Sequence, residues 1–137
     1  MDDSSQNKLY LGGSLLGICL ALFVWFLFAV VGHALFYLFD LVRGLGGDVL
    51  QSIFRELLMP GIGGYFGIAI VHDRMNKYNR SVVFYGFCSI IAVLVFGSLA
   101  YVLPVAKPAS IKTYDLVIHF LSGVTSLCGA YIAKIKN

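Results

Sequence analysis

Residues 9–39 read LYLGGSLLGICLALFVWFLFAVVGHALFYLF, thirty-one consecutive positions without Asp, Glu, Lys or Arg. As a helix rising 1.5 Å per residue this run would be about 46 Å long, against a bilayer hydrocarbon core of about 30 Å. It exceeds the 7–15 residues of a signal-peptide core and lacks a convincing small-residue cleavage site, so it reads as a first membrane span centred on 11–36. Its surplus length must tilt or project.

The rest of the chain agrees with that solvent. Of 137 residues, 59% are hydrophobic and 12% charged, where soluble domains have about 45–50% and about 25%. Mean hydropathy is +0.86. Lipid tails are the only solvent that suits this excess. Two further spans are expected over 82–103, ending before Pro104, and over 114–133, ending in Lys134 and Lys136. Residues 49–71 are less regular, because Arg55 and Glu56 interrupt the apolar run and Pro60-Gly61-Ile62-Gly63-Gly64 follows. An interfacial helix ending at Met59 would leave 61–71 too short to span. A single helix over 52–72, kinked at Pro60, is therefore preferred. The fold class expected is an all-α integral membrane protein: one domain of four transmembrane helices in an antiparallel bundle.

Tyr10, Tyr37, Tyr85, Tyr101, Tyr114 and Tyr131 fall near the proposed span ends, where amphipathic rings favour the headgroup layer. Lys8, Arg74, Lys77, Arg80, Lys134 and Lys136 share one side, while Arg43, Lys107, Lys112 and Arg55 fall on the other. The positive-inside bias expects an inner-membrane protein with both termini in the cytoplasm. The basic connection carrying Arg74, Lys77 and Arg80 would then face the cytoplasm, holding anionic headgroups or a soluble partner protein.

The net charge of +3 comes from dispersed residues, not a dense stripe along a phosphate backbone, so direct nucleic-acid binding is not expected. Cys19, Cys88 and Cys128 lie singly in three apolar segments. They read as small buried apolar residues and exclude a thiol oxidoreductase built on cysteine pairs. No nucleophile elbow, H-E-x-x-H, P-loop or dinucleotide fingerprint occurs, so an enzyme is not expected.

Two constellations remain. His33 (followed by Tyr37 and Asp40 on the same face), Arg55 and Glu56, and Asp115 and His119 lie at comparable outer depth on three spans. Intramembrane ionisable groups tend to face a bundle interior and pair. The plainer reading is that Arg55 pairs with a carboxylate and the histidines satisfy neighbouring helices; the sharper one is an outward-facing polar vestibule for a cation or proton. His33 and His119 are also of the type that ligates b-type haem, but no spacing makes them converge, and no metal or cofactor is expected. The second constellation is small: Gly13 with Gly17, Gly63 with Gly67, and Ser122 with Ser126 form faces for close helix packing. The function expected is a small subunit of the inner membrane that self-associates or anchors a cytoplasmic partner. A multi-component membrane-associated assembly, of the defence or stress-sensing kind, is one setting in which such a subunit could serve, although no residue points to one. The alternative is a small oligomeric ion channel or proton-coupled transporter using the outer cluster.

Overall fold

The structure, a computed structural model, describes residues 3–43, 53–75, 77–102 and 109–136, with side chains over most of 13–38, 53–100 and 113–136. Among these residues every regular element is helical. Helix α1 runs Asp3–Arg43; a π-helical segment, Phe54–Leu58, leads into α2, Met59–His72; α3 is Lys77–Val102 and α4 Ala109–Lys136. Within α1, α3 and α4 the segments Gly13–Leu38, Lys77–Ala100 and Leu116–Lys136 are long and apolar enough to cross a membrane. With 41 residues, α1 is about 62 Å long and projects beyond any bilayer core.

The second expected span takes a different form. Helical winding is continuous over 53–72, but its first turn is π rather than α. Pro60 stands at the start of α2. It has no N–H to give to the carbonyl four residues back, and its ring crowds that carbonyl, which belongs to Glu56. The wider turn before it removes the conflict without ending the helix. The α-helical part alone, 14 residues, reaches only about 21 Å.

Helix α2 lies between α1 and α4 and packs closely on both, whereas α3 rests on α4 and α1 from the other side and scarcely meets α2. Glycine makes the first pair of contacts close. A Cβ added at Gly67 would lie 2.6 Å from the Ala21 carbonyl oxygen, and one at Gly63 would lie 3.0 Å from that of Trp25. These two face α1. On the α4 side, a Cβ at Gly64 would collide with the Ser126 carbonyl, and one at Gly129 with the Gly61 carbonyl. Gly13 and Gly17 behave differently. The space at Gly17 is filled by Met75 and Val83 side chains, and Gly13 has only Asn79 nearby, at ordinary van der Waals distance.

The core follows from this frame. Ala21, Ile68, Val83, Phe87, Ile91 and Ala130 are buried where all four helices converge. Trp25 Nε1 on α1 donates to Ser126 Oγ on α4 at 3.0 Å, and Ser126 Oγ donates to the Ser122 carbonyl at 2.8 Å. A fully buried hydroxyl is thereby satisfied in both roles. Ser122 contributes its carbonyl here, not its side chain. The cysteines depart from expectation: Cys19 and Cys128 are exposed and only Cys88 is partly covered. In lipid an outward thiol still has an apolar environment, so burial inside the protein is not required of it.

Overpacking costs about 1–3 kcal/mol when backbone must move. Gly64→Ala and Gly129→Ala should therefore lower the thermal midpoint in mild detergent by several degrees. Gly13→Ala, where the added carbon meets only Asn79 at ordinary van der Waals distance, should not lower it. Equal midpoints for all three would contradict the α2–α4 contact.

Candidate functional site

The π-helical turn meets α1 where glycine precedes histidine. Gly32 leaves room for Met59, whose Cγ would stand 2.7 Å from a Cβ there. That approach brings Glu56 beside His33. Glu56 Oε1 is 3.4 Å from His33 Nε2 and 3.0 Å from Arg55 Nε. Arg55 and Glu56 are chain neighbours, which do not face each other on an α-helix. The Arg55 side chain folds back so that its Nε, close to the stem, donates to the carboxylate.

Proton placement follows from the acceptors. His33 Nδ1 lies 2.9 Å from the Ala29 carbonyl oxygen, which can only accept, so Nδ1 carries a hydrogen. In a neutral ring Nε2 is then a bare acceptor facing a carboxylate. The group thus combines a guanidinium, a carboxylate and an imidazole. It lies at the bundle edge: the His33 side chain is 55% exposed and that of Glu56 21%.

The remaining residues of the expected cluster stand apart or outside the description. His119 is partly buried on α4, with no ion pair to His33 or Glu56 among the described residues. The side chains of Asp40 and Asp115 lie outside the described residues. No group of three His, Cys, Asp or Glu side chains able to hold a metal ion occurs among the described residues.

The basic connection is divided in its roles. Arg74 and Lys77 are exposed. Arg80 turns inward, donating from Nε to the Met75 carbonyl at 2.8 Å, while buried His72 donates from Nε2 to the Arg80 carbonyl at 3.1 Å. Ser14 Oγ on α1 donates to Asn79 Oδ1 at 3.2 Å. Arg80 and His72 therefore close the α2–α3 turn, leaving two of the three loop cations directed outward. His72 was not singled out by the sequence; its position at the end of an apolar run beside a basic turn is the only signal it gave.

Comparison with protein-family models, with curated proteins and with solved structures finds no match for this chain.

Histidine-selective 15N NMR in lipid nanodiscs should show His33 protonated at Nδ1. Glu56→Gln should alter the Nε2 resonance and leave Nδ1 protonated. A bare Nδ1 in the wild-type chain would refute the bond to Ala29.

Proposed function

We propose that this chain is a small non-enzymatic subunit of the inner membrane. Its four spans include 52–72, kinked at Pro60, both termini are cytoplasmic, and it associates with copies of itself or anchors a cytoplasmic partner, or does both. Three helices of spanning length and apolarity support membrane residence, and the Lys and Arg distribution supports the orientation. The observation that carries self-association is Gly97. The glycines of α2 and α4 are consumed by packing inside one chain, whereas an added Cβ at Gly97 meets nothing within 4 Å. Gly97 shares the outward side of α3 with Ser89, Val93 and Ala100, all exposed. Small outward residues let a second helix approach closely in lipid. Exposed Arg74 and Lys77 offer the partner a basic surface.

Light scattering on the detergent-solubilised protein should give a protein mass that is a multiple of 15.0 kDa. Gly97→Leu should shift it toward the monomer. A wild-type chain that is monomeric at every concentration would count decisively against self-association.

A second reading, a small ion channel or proton-coupled transporter, is favoured by one observation: an imidazole, a carboxylate and a guanidinium, His33, Glu56 and Arg55, meet at one place on the bundle. Proton flux into proteoliposomes should then fall at least tenfold in Glu56→Gln and in His33→Ala. Flux that is indifferent to both substitutions removes this reading.

A further inference from the structure

The two ends of the bundle differ in how their charges are met. Where the π-helical lead meets α1, Arg55 is answered by Glu56. At the other end α2 stops, α3 begins and α4 stops, and Arg74, Lys77, Lys134 and Lys136 make no ion pair among the described residues. Three of these four are exposed, and Lys134 alone is partly buried.

Lys134 is seated by the packing of α3 on α4. A Cβ added at Gly123 would meet Val95, and the two helices run in opposite directions. Counting forward from Gly123 and back from Val95 by equal steps brings Lys134 opposite Phe84. Its Nζ lies 4.5 Å from the centre of the Phe84 ring and 4.9 Å from that of Tyr85. The ammonium therefore stays at its own level against two ring faces and does not reach past them to the end of the bundle, as a snorkelling lysine does. That level is about 10 Å along α3 from Lys77, inside the segment Lys77–Ala100 that is able to cross a membrane. Ring faces attract a cation but do not take up its hydrogen bonds as an oxygen does. Lys134 makes no hydrogen bond among the described residues, so its three N–H groups are open to an acceptor from outside the chain.

We propose that the α3–α4 seam at Lys134 binds the phosphate of an anionic phospholipid. A cation inside a spanning segment calls for an anion or a polar cavity, and near the end of a span the anionic oxygens that a bilayer supplies are lipid phosphates. Basic sites between spanning helices recognise anionic headgroups in this way. Tyr85 is 61% exposed and carries a phenol O–H on the same seam as a second donor. Exposed Arg74, Lys77 and Lys136 around the same end oppose a choline group and so favour a lipid of net negative charge. Lys136 itself is directed to the α2 side of α4, with Nζ 6.0 Å from the centre of the Tyr65 ring, and is not part of the site. The site requires a chain embedded in a bilayer and neither self-association nor ion transport.

Native mass spectrometry of the full chain, with phosphatidylglycerol or phosphatidylcholine of the same acyl composition added to the detergent, reads the bound lipid directly. One phosphatidylglycerol per protomer should be retained in preference to phosphatidylcholine. Lys134→Gln should weaken that retention about fivefold, and Lys136→Gln should leave it within about twofold. Millimolar inorganic phosphate should not displace the lipid. Equal retention of both lipids, wild-type retention in Lys134→Gln, or equal losses in the two variants overturns the proposal, the last by showing a diffuse field instead of a site. Displacement by inorganic phosphate overturns it in favour of a soluble phosphate. Should Lys134→Gln not fold, the unaltered chain decides the matter. Acetylation of Lys134 by an N-hydroxysuccinimide ester, relative to Lys136, should be slower in phosphatidylglycerol nanodiscs than in phosphatidylcholine nanodiscs, and an unchanged ratio overturns the assignment. A chain that enters nanodiscs yet fails these tests loses the site and keeps its membrane residence.

Discussion

The contact on which the rest of this structure depends is the approach of the α2 backbone to two other backbones at once. In lipid there is no hydrophobic expulsion to drive helices together, and close packing with interhelical hydrogen bonds must hold them. Gly63 and Gly67 press α2 against the carbonyls of Trp25 and Ala21, and Gly64 and Gly61 press it against Ser126 and Gly129. Because two of these glycines face each way, α2 is the wedge that sets the spacing of α1 and α4. Trp25 then reaches Ser126. A larger residue in α2 would separate that donor from its acceptor, as well as opening the apolar core.

The same wedge creates the polar site and an apolar groove between α2 and α4. Threading a short, glycine-rich helix between two long ones brings its N-terminal lead against α1 near Gly32 and His33. Pro60 widens that lead into a π turn, and such turns recur at functional sites. Glu56 is thereby aimed at His33. On the opposite side, the glycines and threonine that permit the α2–α4 approach leave nothing to fill the seam facing lipid. A groove floored by Gly61, Thr125 and Gly129 follows directly from packing by small residues.

What could be read in the sequence was the part determined by composition and period. Thirty-one uncharged residues at 9–39 and the apolar runs before Pro104 and Lys134 announce helices of spanning length, and helices are what the chain forms. Gly63 and Gly67, at i and i+4, were visible as one packing face. The second face escaped, because Gly61 and Gly64 are spaced by three and their partner Gly129 lies on another helix, a pairing that no local pattern encodes. The π turn escaped for a related reason: proline forbids one hydrogen bond, but whether the chain responds by kinking, ending or widening depends on what packs around it. Among the polar residues, the proximity of His33 and Glu56 could be suspected from depth alone. The inward turn of Arg80 onto the Met75 carbonyl could not, since a basic loop residue looks the same in sequence whether it faces headgroups or closes a turn.

Charge scarcity explains why these few contacts matter. A charged side chain costs about 2.5–3.5 kcal/mol at the centre of a spanning helix on insertion scales and far less near its ends. Arg55 and Glu56 lie at the start of their helix and neutralise each other, which reduces the cost further. His33 sets its ring against the same carboxylate, so three polar side chains gather at one place on the bundle edge, where they answer one another, instead of standing singly among the apolar residues of separate spans.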